Sequence, residues 1–495
     1  MRCALLRMLW IALPGILTCS SDGRSERRPI MDRPNVILFF LDDSGYGDFG
    51  FNGNPVIETP AIDQLAREGT HFTQFYVSTA ACSASRYALL TGRYPQRSGL
   101  GSWVIGPSAS RHLHAKELTL AEGLKSAGYK TGMFGKWHLG NPNDKNAMSA
   151  DALPLAHGFD VWLGTNVSHD YGNAKLLKSD PHGNDPIQGY AQIADNLPTD
   201  ERVCASLTSR YTKAAVEFIR SHKDEPFFAY IAHNQPHLGL YADEAFLGKS
   251  RRGLLGDVMA EVDHSVASVL KTLKEQGIEK NTLIIFSSDN GPWLRYRNTE
   301  KHAKYGEARM HVGYAWPFRD GKGCASWEGG FRVPGIFHWP GVIEMNRSLE
   351  PASTLDVLPT LFAICGVRVP ANQAIDGRDI RGLLSPKLGK KPEGAFRFVY
   401  SYSDNKAAAY RRGPWKIHVR LGSQLGNVYG FKAIVESPLL FNVEEDLHER
   451  INRAAEKPDL VQELLGELKA HNKALVAAGT FWDEGKKLPI PYKPD

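Results

Sequence analysis

Residues 35–43 read NVILFFLDD: Asn35, six apolar residues with no polar interruption, then Asp42 and Asp43. A strand with one wet face alternates polar and apolar positions. An unbroken run of this length marks a strand buried on both faces, as in a parallel sheet covered by helices. A second such run, Thr282–Phe286 (TLIIF), passes through two serines into Asp289 and Asn290. Thr59–Gly69 (TPAIDQLAREG) reads as a helix, with an N-capping Thr, Pro at the first helical position and a terminal Gly. Leu118–Gly128 and Asp257–Gly277 read as further helices. Strands alternating with helices predict an α/β fold: a large, mostly parallel mixed sheet sandwiched by helices, over residues 34–384. From about Ser385 the texture changes. Phe396–Ser401, Trp415–Val419 and Leu439–Val443 are short strand candidates in close succession, and Pro458–Ala478 has helical spacing. Residues 385–495 are expected to form a smaller C-terminal antiparallel sheet packed by a helix.

At 495 residues the chain suits one large domain with a smaller companion. A hydrophobic fraction of 42% with 10% aromatics excludes disorder for most of the length. The formal net charge is +5 without a polybasic block, so nucleic acid is not an expected partner. Arg2 and Arg7 precede a short apolar run, Met8–Leu17, too short to span a bilayer. Residues 1–20 therefore read as a secretory signal, and the protein is expected to be exported: periplasmic, outer-membrane-anchored or extracellular. The run ends Ile16-Leu17-Thr18-Cys19-Ser20, close to a lipoprotein box, so a lipid anchor at Cys19 and simple cleavage near Ser20 both stand. Six cysteines are present; Cys3 and Cys19 fall in the signal, and Cys82, Cys204, Cys324 and Cys365 are widely scattered. This is neither a dense disulfide framework nor a zinc spacing, and Cys365 in LFAIC is most simply a buried core thiol.

Both core strands end in acidic pairs. Sites in parallel sheets form beyond the carboxyl ends of strands, so neighbouring strands would bring Asp42, Asp43, Asp289 and Asn290 together. Three carboxylates and one amide make a hard-oxygen cage suited to calcium or magnesium. The plainer alternative is that each pair caps a turn, with Gly45 and Gly291 close behind. Cys82 opens CSASRYALLTG, residues 82–92, which reads as a helix with Cys82 in its first turn. There the helix dipole and free N–H groups favour an anion, and Arg86 lies on the same face. Spacing leaves two readings open: an ordinary helical cysteine or a low-pKa thiolate nucleophile.

CSASR at 82–86 followed by LLTGR at 89–93 resembles the signature of the type I, formylglycine-dependent sulfatases, the arylsulfatase branch of the alkaline phosphatase superfamily. That signature is normally written C-x-P-S-R with T-G-R a few residues on. The resemblance continues through RPNVILFFLDDSGYGDFG at 33–50, GKWHLG at 135–140, HGFDVWLG at 157–164 and NQPH at 234–237. It runs on through SSDNGP at 287–292, WEGGFRVPGIFHWPG at 327–341 and LFNVEEDLHER at 440–450.

The resemblance implies that a formylglycine-generating enzyme converts Cys82 to formylglycine (3-oxoalanine) before folding. It implies one calcium ion held by Asp42, Asp43, Asp289 and Asn290 together with the modified Cys82. Arg86 and Lys136 would hold the geminal diol with His138 beside it. Lys136, His237 and Lys322 would bind the sulfate, and Ser168 matches a position that also contacts the site. The implied reaction is hydrolysis of a sulfate monoester, of a sulfated carbohydrate or an aryl sulfate. One diol hydroxyl attacks sulfur with help from Asp289, and His237 or Lys322 protonates the leaving alcohol. His138 then deprotonates the second hydroxyl, and the covalent sulfo-enzyme expels sulfate. Cations are needed because a sulfate ester is anionic and repels nucleophiles.

Three positions depart from the pattern. Ala84 replaces the proline of the modification signature, Lys322 precedes Trp327 by five residues where many relatives have four, and Asn166-Val167 replace a common Pro-Tyr pair before Ser168. His233 and His302 have no motif support; Arg295, His302 and His311 are candidates only for the substrate mouth. Two competing readings stand beside the sulfatase: a phosphodiesterase or phosphonate ester hydrolase of the same superfamily, and a non-catalytic exported anion- or glycan-binding protein whose Cys82 stays a thiol.

Overall fold

The computed structural model describes residues 33–101, 104–106, 109, 111–140, 150–183, 187–294, 312–401, 406–423 and 433–484. The signal segment 1–20, with Cys3 and Cys19, and Arg295, His302 and His311 lie outside the described residues.

Asn35–Leu41 is a central strand of a ten-stranded sheet. Its side chains alternate between two separate cores: Val36, Leu38 and Phe40 enter one, Ile37, Phe39 and Leu41 the other. This is why the sequence carries no polar alternation there, since each face of the strand meets a helical layer. The helices Leu120–Ser126 and Val357–Cys365 cover the first face; Pro60–Glu68, Leu207–Ser221 and Leu254–Glu275 cover the second. Burying one such Leu, Ile or Phe is worth about 1.5–3 kcal/mol, so a single truncation at Phe39 costs roughly 3–5 kcal/mol.

The strand order across the sheet is Asn346–Ser348, Thr70–Phe72, Gly335–His338, Thr282–Ser288, Asn35–Leu41, Phe227–Ala232, Lys130–Gly135, Val161–Thr165, Leu176–Ser179, Tyr190–Ala194. The middle five, from Thr282–Ser288 to Val161–Thr165, are mutually parallel. Their flanks turn antiparallel at Gly335–His338 on one side and Leu176–Ser179 on the other. The sheet is therefore mixed with a parallel centre, as the sequence predicts. Register pairs Leu41 with Ser288, so Asp42 and Asp289 leave adjacent strands at the same level.

Arg397–Ser401, Ala407–Arg412, Trp415–Leu421 and Ala433–Asn442 form a four-stranded antiparallel sheet. Val461, Leu464 and Leu468 of the helix Pro458–Ala478 share its core. This sheet grips the rest of the protein through buried charge. Glu328, six residues past Lys322, accepts hydrogen bonds from Tyr76 (2.7 Å), Tyr400 (3.0 Å) and Lys416 (2.8 Å). Lys416 also pairs with Glu449 at 2.9 Å, and Glu449 accepts from the Glu328 backbone N–H and meets His418 Nε2 at 2.8 Å. Arg411 donates to Tyr76 and to Gln74. No side-chain nitrogen or oxygen of Glu328, Lys416, His418, Glu449 or Arg411 is left without a partner. Burial would raise the Glu328 carboxyl, but Lys416, Arg332 and Arg411 hold it down at about 2.

Candidate active site

The five parallel strands end on one edge of the sheet, and each delivers polar side chains there, as expected for a site at strand carboxyl ends. Asp42 and Asp43 follow Asn35–Leu41; Asp289 and Asn290 follow Thr282–Ser288; Lys136 and His138 follow Lys130–Gly135. Ser168 follows Val161–Thr165, and His237 closes the turn after Phe227–Ala232. All are buried. The helix Cys82–Thr91 points its first residue at this edge, with Gly92 as its left-handed C-cap.

The Cys82 thiol donates to Asp42 Oδ1 at 3.3 Å and lies 3.9 Å from Asp43 Oδ1. Arg86, one turn on, reaches Asp289 Oδ2 at 2.8 Å and the Lys136 carbonyl at 3.2 Å. Lys136 Nζ contacts Asp42 Oδ2 at 2.5 Å. Lys322 Nζ contacts Asp43 Oδ1 at 2.7 Å, and His237 Nε2 approaches Asp43 Oδ2 at 3.5 Å. Asn290 Nδ2 donates to Asp43 Oδ1 at 2.8 Å. Gly291 allows the segment bearing Glu328 to close in: a Cβ there would lie 1.8 Å from the Gly329 carbonyl oxygen. Asp43 and His138 hold positive φ (62° and 56°), a left-handed backbone that non-glycine residues adopt at a cost and that clusters at functional sites.

Three carboxylates (Asp42, Asp43, Asp289) and three permanent cations (Arg86, Lys136, Lys322) thus share one buried volume. The charges do not resolve evenly. Burial opposes ionisation of Asp42, yet Lys136, His237 and Arg86 keep its carboxyl well below the usual range. Burial and the neighbouring Asp42 push Asp289 up to about 7. Burial, with Asp289 and Asp42 beside it, pushes the Cys82 thiol far up. The unmodified cysteine is therefore held as a thiol, and of the two readings the sequence leaves open the low-pKa thiolate is the one this geometry disfavours. Burial and Lys136 keep His138 neutral.

Several atoms here are buried without partners: Asn290 Oδ1, His138 Nδ1, Arg86 Nε and Ser168 Oγ. The orphaned amide oxygen of Asn290, beside three carboxylates, fits a hard divalent cation. Donor atoms of Asp42, Asp43, Cys82 and His237 lie within 4.8 Å of one another, a cluster that could hold a metal ion.

Asp42, Asp43, Cys82, Arg86, Lys136, His237, Asp289, Asn290 and Lys322 are joined here by direct contacts, and His138 and Ser168 follow strands that end at the same edge. His233 lies apart: it is buried behind the sheet, its Nε2 3.0 Å from Ser265. The sequence reading missed Asp170, whose Oδ1 lies 3.8 Å from His237 Nδ1, and Trp293, whose ring centroid lies 5.1 Å from Lys322 Nζ. Ser168-His169-Asp170 follows a parallel strand just as Asp42-Asp43 does, but glycine interrupts that strand, VWLGT, so hydrophobic patterning did not mark it. Burial opposes ionisation of Asp170, but His237 and His169 bring its carboxyl below the ordinary range. Cys204, Cys324 and Cys365 are buried free thiols, so no disulfide joins them.

A family model described as Sulfatase matches residues 34–367. The chain is 36% identical to arylsulfatase A of Bos taurus over 458 residues, covering 88% of this chain and 86% of the relative. It is 35% identical to N-acetylgalactosamine-6-sulfatase of Mus musculus over 403 residues, covering 78% and 72%. The crystal structure of the PsFucS1 sulfatase from Pseudoalteromonas sp. superposes with a TM-score of 0.76 at 28% identity, covering 90% of this chain and 91% of that one.

Proposed function

The chain belongs to the sulfatase family, and on that premise we propose that it is a formylglycine-dependent enzyme hydrolysing sulfate monoesters of a carbohydrate. The observation that carries this reading is Cys82 itself: a fully buried helix-first residue against Asp42 and Asp43, ringed by Arg86, Lys136 and Lys322. When present, formylglycine at position 82 supplies a hydrated aldehyde as nucleophile, and calcium held by Asp42, Asp43, Asp289 and Asn290 adds the positive charge that draws in an anionic ester.

The chain's own residues supply the rest. Arg86 and Lys136 orient the group at position 82. Lys136, Lys322 and His237 neutralise sulfate oxygens, and Ser168 stands beside them. His138 Nε2 faces the Ile105 carbonyl at 3.2 Å, and a carbonyl only accepts, so Nε2 carries the proton. Its orphaned Nδ1 is then the free lone pair, and we assign that atom as the base that takes a hydroxyl proton. His237 Nδ1 faces the Leu238 carbonyl in the same way, so Nε2, turned toward the site, protonates the departing alcohol only when the ring is the doubly protonated imidazolium, with Lys322 as the neighbouring donor.

A glycan substrate is supported by the N-acetylgalactosamine-6-sulfatase relative. We further propose export, on Arg2, Arg7 and Met8–Leu17; among the described residues no helix is long and apolar enough to cross a membrane. The test is mass analysis of the tryptic peptide Glu68–Arg86 together with rates on an aryl sulfate and an aryl phosphate diester. The expected outcome is an aldehyde at Cys82 and faster sulfate turnover. An unmodified thiol in every molecule from the native host, or preference for the phosphate, overturns it.

A further inference from the structure

Two side chains at the rim have no part in the chemistry above, Asp170 and Trp293. Exposure rises outward along one row of contacts: Asp43 is 3% exposed, Lys322 4% and His237 8%, while Trp293 and Asp170 are half-buried. Lys322 and His237 reach the same Asp43 carboxylate. Next to Lys322 stands the Trp293 indole, and next to His237 stands Asp170. Two of the groups that would bind sulfate, Lys322 and His237, thus each have a rim neighbour, aromatic in one case and anionic in the other.

Asp170 Oδ1 is buried and accepts no hydrogen bond, yet the side chain is 29% exposed. Part of the side chain is therefore open at the rim while Oδ1 is buried toward His237. Among the described residues no lysine or arginine lies within ion-pair distance of Asp170. A carboxylate at such a rim, faced by the His237 and His169 rings, accepts hydrogen bonds from hydroxyl groups and repels a second anion entering beside the sulfate. The indole offers a flat apolar face for a sugar ring.

Resting on the sulfatase reading, we propose that Asp170 is a specificity-determining residue. It restricts the enzyme to sulfate esters whose leaving group carries no second negative charge near the scissile bond, with Trp293 as the face on which that group stacks. The substrate class is a monosulfated, otherwise neutral sugar unit.

The test compares matured wild type with Asp170→Asn on 4-nitrophenyl sulfate and its 2-carboxy analogue. The readout is the ratio of the two kcat/KM values, in which any uniform effect through His237 cancels. Asp170→Asn is expected to raise the anionic-to-neutral ratio by about tenfold, the size of like-charge repulsion near a protein surface. A ratio unchanged within about twofold of wild type overturns the proposal. Should Asp170→Asn not fold, Asp170→Ser is read in the same way. Calorimetric binding of galactose 6-sulfate against galactose 2,6-disulfate to Cys82→Ala protein, with and without Asp170→Asn, gives the same comparison without turnover. If wild type hydrolyses neither aryl ester, the sulfatase reading fails while the binding ratio still decides the role of Asp170. Trp293→Ala is expected to raise KM for both esters several-fold; an unchanged KM removes the stacking face.

Discussion

The protein holds two buried clusters of charge, and they are built on opposite terms. Around Glu328, Lys416, His418, Glu449 and Arg411 every polar side-chain atom has a partner, and the Glu328 carboxyl is held down at about 2. Around Cys82 the inventory of charges is similar, yet Asn290 Oδ1, His138 Nδ1 and Arg86 Nε have no partner, and Asp289 is pushed up to about 7. Two backbone positions there are also left-handed. Burial of charge does not mark a functional site; unmet demand within it does. The first cluster is a fastening, complete as it stands. The second is complete only when something else arrives.

That contrast can be broken at either end. The largest effect is expected from Cys82→Ala, which should cost turnover of an aryl sulfate on the order of 10⁴-fold or more. Its stability should change by less than about 1 kcal/mol, since the lost thiol bridges nothing outside the site. Similar losses of both would erase the distinction. Next, Lys416→Met strands two buried carboxylates, Glu328 and Glu449, and should lower unfolding free energy by about 3–5 kcal/mol in denaturant titration. A shift below about 1 kcal/mol would mean the fastening is ornamental.

Calcium at about 100 times its Kd should raise wild-type stability by roughly 2.7 kcal/mol over the chelated protein. Asn290→Ala should abolish that increment and Lys416→Met should keep it. An increment surviving Asn290→Ala would place the cation elsewhere. The smallest expected effect is with pH. Glu328 titrates lower in the fold than its ordinary value near 4.3, so its contribution is present above that value and lost as pH falls toward about 2. Glu328→Gln should flatten the stability profile in this window, and a slope identical to wild type would show that Glu328 is not its source.

The fold was legible where one physical demand acted alone. NVILFFL needed only burial on both faces, and the meeting of Asp42-Asp43 with Asp289-Asn290 needed only the rule that strands end at sites. Lys130–Gly135 (KTGMFG) and Val161–Thr165 (VWLGT) are equally central, but glycine and lysine interrupt them, so the strands that carry Lys136, His138 and Ser168 were invisible to hydrophobic patterning. Ala407–Arg412 (AAAYRR) was missed because three alanines and two arginines do not favour a strand by propensity; pairing on both edges and the buried Arg411 decide it instead. His237 and Lys322 meet at Asp43 from loops far apart in sequence, so only the family resemblance joined them. Asp170 was given no role in the sequence, and its place emerges only from the neighbour it touches.

One property of the fastening concerns time. Glu328 finds Lys416 only 88 residues further along the chain, and Glu449 only 121 residues along. A polypeptide leaving the ribosome therefore has Cys82 long before the pieces that pin the Lys322 segment over it have been made. The last quarter of the molecule acts as a latch with a built-in delay, and the length of that delay is written in residues.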